Sequence, residues 1–180
     1  MKRLLATFII LLTLAACAPP VNLNKTAQTA NVYGGYTVAY SEKWVIDIQV
    51  GIIAFSNDPQ GLEAYLRNSA VAGEQVAGGV FAIPKGGEVT SLDTVLTLYE
   101  NRLGTVFKNR ESFTENARSG LSGIGAQTLN GIVVDVGIAV ADIGEAYGVV
   151  IYYTTTGKAS NAMATIRRMS GTITFLPLGQ

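Results

Sequence analysis

Cys17 is the only thiol in 180 residues, and histidine is absent altogether. Without imidazole there is no Ser-His or Cys-His nucleophile pair, and the commonest zinc and iron ligand is missing. The one thiol ends the run Leu14-Ala15-Ala16-Cys17, behind Lys2, Arg3 and an apolar stretch from Leu4 to Leu14. A basic start, an apolar core and small residues before a cut site are the layout of a secretory signal peptide. A cysteine directly after the small pair makes the run a lipobox. The implied chemistry is attack of the Cys17 thiolate on a diacylglyceryl donor. A signal peptidase whose narrow cleft accepts Ala15 and Ala16 then cuts before Cys17. Two or more acyl chains hold a protein stably on a bilayer, whereas one does so only marginally.

The apolar run from Leu4 to Ala16 would make a helix of about 20 Å. A bilayer core of about 30 Å needs roughly 20 apolar residues, so the run is too short to span it comfortably. Pro19 and Pro20 block helical extension beyond it. Cleavage removes Lys2 and Arg3, so 13 basic against 13 acidic residues become 11 against 13. Acylation of the new terminus, as by palmitate, would remove its charge as well. A near-neutral chain without a basic run is not expected to bind nucleic acid. With its only cysteine lipidated, the mature chain forms no internal disulfide and must be stabilised by packing. No cofactor and no metal is expected.

Four other groupings could carry chemistry. Asp135, Asp142 and Glu145 lie near one hairpin end, where a general acid and base are conceivable and ordinary turn and edge charges are the simpler reading. Gly120, Gly123, Gly125 and Gly131 invite a phosphate-loop reading. The Gly123-Ile124-Gly125 run lacks the further glycine and the Lys-Ser/Thr partner that such a loop needs. Lys85 and Lys158 sit beside glycines in expected turns, where a lysine stays solvated, unlike a catalytic one. Finally, Tyr33, Tyr36, Tyr40 and Trp44 cluster near the domain entry, and Tyr147, Tyr152 and Tyr153 on a later strand. The choice for these is between core packing and a partner-binding aromatic patch. Tyr36, Tyr40, Trp44, Tyr152 and Tyr153 are the candidates for the patch.

These residues must be positioned by the elements around them. Residues 17–32 read as the lipidated cysteine and a flexible tether, rich in Pro, Asn, Thr and Ala; about 15 flexible residues span roughly 20 Å on average. Tyr36, Val38 and Tyr40 alternate as a strand, and so do Trp44, Ile46, Ile48 and Val50. Gly51 permits a reversal into a strand at Ile52 to Ser56. Asp58-Pro59 opens a short helix, with Leu62, Tyr65 and Leu66 facing inward. Val76 to Ile83 suits a strand covered on both faces. Leu92, Val95, Leu96, Tyr99, Leu103, Val106 and Phe107 recur at helical spacing, with Thr90 and Asp93 as a capping box and Gly104 as an interior flaw. Strands are expected at 113–118, 122–129, 132–142 and 146–155, the last two joined as a hairpin through Ile143-Gly144. Ala159 to Met169 forms a final helix that Gly171 terminates, with Arg167 and Arg168 in its last turn. A short extended piece follows at 172–176.

Strands come in runs, without regular βα alternation. The expected fold class is therefore α+β, an antiparallel β-sheet flanked by helices, with residues 1–16 as signal peptide and 33–176 as a single domain.

The run from Gly35 to Asn57 (GYTVAYSEKWVIDIQVGIIAFSN) resembles the opening of PsbP-like and DcrB-like domains, with a short strand, a Glu-x-Trp turn and a strand pair. The run from Gly123 to Tyr153 (GIGAQTLNGIVVDVGIAVADIGEAYGVVIYY) is similar to their terminal hairpins. The resemblance covers roughly Tyr33 to Phe175. It implies an α/β/α sandwich around an antiparallel sheet and no common enzymatic activity. Plant PsbP proteins carry metal-linked histidines, which this chain lacks, so the resemblance places no family site residue here.

The first functional expectation is a lipid-anchored domain of a bacterial cell envelope that binds or scaffolds another envelope component without catalysis. The alternatives are a hydrolase acting on an envelope polymer through carboxylates, and a small-molecule carrier built around an enclosed apolar pocket. Ala18, not Asp, follows Cys17. By the sorting rule that lipobox proteins resemble, the protein would go to the outer membrane of a two-membrane cell, or the outer face of a single membrane.

Overall fold

The computed structural model describes residues 21–32 and 34–177, so Cys17 and the rest of the lipobox lie outside the described residues. Ten strands and three helices follow in order. They are β1 (Lys25–Asn31), β2 (Gly34–Tyr40), β3 (Val45–Gln49), β4 (Ile52–Ser56), α1 (Pro59–Leu66), β5 (Val76–Pro84) and α2 (Leu92–Leu103). After these come β6 (Lys108–Glu115), β7 (Arg118–Leu129), β8 (Ile132–Asp142), β9 (Ala146–Thr155), α3 (Ala159–Thr172) and β10 (Thr174–Pro177).

Seven strands form one antiparallel sheet in the order β3-β4-β5-β9-β8-β7-β6, and β1-β2-β10 form a second, smaller one. In β8 and β9 both faces are apolar. Val134, Val136, Ile138 and Val140 join Tyr147, Val149, Ile151 and Tyr153 in the cluster under α1 and α2. Ala139, Val150 and Tyr152 join Ile53, Phe55 and Val80 in the cluster under α3 and the small sheet. The large sheet is thus sandwiched, with α1 and α2 on one face and α3 with β1-β2-β10 on the other. The fold class is α+β, antiparallel sheets flanked by helices.

Close packing sets residue size at the centre. Gly137 of β8 pairs with Tyr152 of β9, and a Cβ on Gly137 would sit 2.2 Å from the Tyr152 ring. The missing side chain lets the ring lie over the strand and send its hydroxyl to the Ala159 carbonyl, 2.7 Å away. That bond fixes the first turn of α3 on the sheet.

Helix α3 has no side-chain cap from its own N-terminal residues. Asp135 of β8 supplies one, accepting from the Gly157 and Ala159 amides at 2.8 and 3.3 Å. At the other end Arg118 of β7 donates to the carbonyls of Gly171, at 3.0 Å, and Ile173. A carboxylate meets the positive end of the helix dipole and a guanidinium the negative end. A cap of this kind is worth about 1 kcal/mol.

Several boundaries differ from expectation. Residues 25–31 are not tether: they form β1, paired along its whole length with β2. Ala27 and Thr29 are small enough to be buried there, and Thr29 hydrogen-bonds the Gln49 carbonyl. The capping box of α2 is Ser91 with Thr94, not Thr90 with Asp93. Gly104 ends α2 as a left-handed cap at φ 62°, so Val106 is 65% exposed. The pair Asn116-Ala117, both at positive φ, joins β6 to β7. Gly171 does not stop α3, which runs on to Thr172; it lets the helix approach Glu115 of β6. Leu66 is exposed at the end of α1.

Substituting Gly137→Ala should destabilise the protein by about 1–3 kcal/mol through overpacking. Urea unfolding monitored by circular dichroism measures this, and an unchanged midpoint would refute the close contact with Tyr152.

Candidate functional site

The aromatic candidates do not form a surface patch. Tyr36, Tyr152 and Tyr153 are buried, at 1%, 0% and 8% exposure. Tyr36 donates its hydroxyl to the Val80 carbonyl. Tyr153 packs against Tyr65 with ring centroids 6.0 Å apart. Trp44 stacks on Phe55 at 5.2 Å, nearly parallel. It is half-buried, like Tyr40, and both pack on the cluster beneath α3. The physical reason is that layers cover both faces of the large sheet, so alternation along β9 sends no side chain of its central residues to solvent. Tyr33 lies outside the described residues. Burial raises the Tyr36, Tyr65 and Tyr152 hydroxyls well above the ordinary tyrosine value and pushes Tyr99 up to about 12. All four stay neutral and act as packing groups.

Asp135 stands apart from the other two acidic candidates, Asp142 and Glu145, which share one turn. Asp135 and Asp142 stand seven residues apart on one strand, about 23 Å, whereas paired glycosidase carboxylates lie within about 10 Å of each other. Asp135 caps α3. Asp142 pairs with Lys85 across the end of the sheet, both carboxylate oxygens lying 2.8 Å from Nζ, and accepts from the Gly144 amide. Glu145 is exposed in the turn, and its carbonyl accepts from the Lys85 amide. Lys158 pairs with Glu74 at 3.0 Å. Gly123 and Gly125 cradle no loop for phosphate. A Cβ on either would strike Phe107 or Thr105, so they receive the segment that links α2 to β6.

Two polar groupings have no local signal in the sequence. Arg110 of β6 bridges Asp93 and Glu100 of α2, each at 2.8 Å, while Glu100 also accepts from the Phe107 amide at 2.8 Å. Between α3 and β6-β7 lies a surface cleft of about 320 Å³, bordered by Asn109, Ser122, Met163 and Arg167. Asn109 is left-handed, φ 51°, where a bulge interrupts the β6-β7 register. Arg167 donates through Nε to Ser122 Oγ at 3.0 Å, pairs with Glu111 and lies over the Phe113 ring. Ser122 in turn donates to the Glu111 carbonyl at 3.2 Å. Through these bonds the arrangement ties helix to sheet. Among the described residues no group of three His, Cys, Asp or Glu side chains could hold a metal ion.

No family model and no curated protein sequence matches the chain. Solved structures do. A protein from Bacteroides thetaiotaomicron is similar at a TM-score of 0.51 and 10% identity, over 81% of this chain and 46% of its own. The chain therefore spans about half the length of that protein. LpqN, involved in cell envelope biogenesis of Mycobacterium tuberculosis, is similar at 0.46 and 15% identity, over 86% of this chain and 93% of LpqN. The cyanobacterial PsbP protein CyanoP from Synechocystis sp. PCC 6803 stands at 0.45 and 10%, over 90% of this chain and 98% of its own. Likeness at such identities is one of fold alone and carries no activity.

The ion pairs make stability depend on acid. Burial acts to raise the Glu100 carboxyl, but the Arg110 and Phe107 hydrogen bonds outweigh it and hold it below its ordinary value. Asp142 is likewise depressed, burial being outweighed by Lys85 and Gly144. A depressed carboxyl stabilises fully above its unfolded pKa, near 4.5 for Glu100 and 3.8 for Asp142, and that stability is lost as pH falls through the folded value. Glu100→Gln should be less stable at pH 7 and lose less on acidification below about pH 5. Urea midpoints at pH 7, 4 and 3 measure both effects; parallel profiles for variant and wild type would contradict the Arg110 pairing.

Proposed function

We propose that this chain is a lipid-anchored cell-envelope protein, attached through Cys17, whose domain binds or scaffolds another envelope component and performs no catalysis. The observation that carries the reading is the lipobox: Lys2-Arg3, the apolar run and Leu14-Ala15-Ala16-Cys17 stand in the order and spacing that processing requires. No described helix is long and apolar enough to cross a membrane, which is compatible with attachment by lipid. Support for a non-catalytic role comes from the ionisable side chains. Asp135 caps a helix, while Asp142, Glu100 and Arg167 hold elements together. Ala18 after the lipidated cysteine favours the outward location in the envelope.

Cys17→Ser should leave an unprocessed precursor that incorporates no labelled palmitate, and globomycin should have the same effect on processing of the wild-type chain. Normal cleavage under both conditions would refute the anchor.

A further inference from the structure

We infer that the α3 face of the domain is held against phospholipid headgroups, because the link from Cys17 to the packed domain is too short to let it turn away. This inference rests on the lipid anchor proposed above. Val21 is the first described residue, and it is packed. Its carbonyl accepts from Arg168 Nη1 at 2.8 Å. Leu23 packs on the cluster beneath α3, Asn24 accepts from the Glu42 amide at 3.1 Å, and β1 starts at Lys25.

Only Ala18, Pro19 and Pro20 separate Cys17 from Val21. Whatever their conformation, four residue steps reach at most about 14 Å. A domain of this size is about 40 Å across. The anchor thus reaches about a third of the domain's width, and it leaves from the α3 layer. Turning the α1-α2 layer to the membrane would require Val21 to stand across the sandwich from the bilayer, beyond that reach.

The chemistry of this face suits the position. Asn161, Thr165 and Arg168 follow helical spacing along one stripe of α3. The whole helix, Ala159–Thr172, carries two arginines and no carboxylate. Among the described residues, Glu111 pairs with Arg167 and Asp135 caps the first turn of the helix. Small polar groups and guanidinium suit headgroup phosphates. The α1-α2 layer is left facing away from the membrane, open to partners.

The test uses the processed protein in phospholipid vesicles. Because Cys17 is the only native cysteine, Asn161→Cys on α3 and Thr97→Cys on the exposed side of α2 each give one site for a fluorophore. Quenching by lipids with a nitroxide headgroup should be several-fold stronger at residue 161 than at 97. A spacer of about twelve Gly and Ser residues, roughly 20 Å on average, inserted between Pro20 and Val21 should abolish the contrast without releasing the protein. Equal quenching at both sites in protein that floats with the vesicles overturns the orientation but leaves the anchor intact. Full contrast with the spacer present overturns the short link as its cause. Protein that carries no lipid and fails to float overturns the anchor, and the orientation with it.

Discussion

Strand β9 has no solvent face, and most of the architecture answers to that constraint. From Ala146 to Thr154 every residue is buried. A strand apolar on both sides must be paired along both edges and covered above and below. Pairing comes from β5 and β8. Cover comes from α1 and α2 on one side and from α3 with the small sheet on the other. Such a sandwich needs neither disulfide nor metal to hold it, which suits a chain without histidine and with a single N-terminal cysteine.

Helix α3 is where the constraint is met with most specificity. Polar side chains of the sheet fix α3: Asp135 at the first amides, Arg118 at the last carbonyls, the Tyr152 hydroxyl at Ala159, and Ser122 with Glu111 on Arg167. The N-terminal segment then docks on the same helix through Arg168 and Val21. The element that closes the core is therefore also the one beside which the chain enters the domain.

How much of this could be read beforehand varies by element. The β-rich runs of β8 and β9, the apolar run of β5 and the Asp58-Pro59 start of α1 were legible, because strand formation and capping each impose residue types at fixed positions. Strand β1 was not. Its inward residues, Ala27 and Thr29, are small and its sequence is polar, so its identity as a strand comes from pairing with β2. Tyrosines are ambiguous in sequence for a different reason. Tyr152 has the composition of a binding residue, and only the pairing of β9 with β8 puts Gly137 beneath its ring. The polar groupings were also hidden. Ser122, Glu111 and Arg167 come from three separate elements, and no local pattern joins them. Arg118 and Asp135, read locally, are ordinary strand charges; their partners lie on or beside a helix that follows both in the chain.

Lipid on the sulfur of Cys17 is the premise of the proposed envelope role, and intact-mass analysis of its N-terminal peptide examines that premise most directly. In protein extracted from membranes, the tryptic peptide Cys17–Lys25 should begin at the cysteine and carry the mass of a diacylglyceryl group. An unmodified Cys17 within a peptide that begins upstream of it would contradict the account.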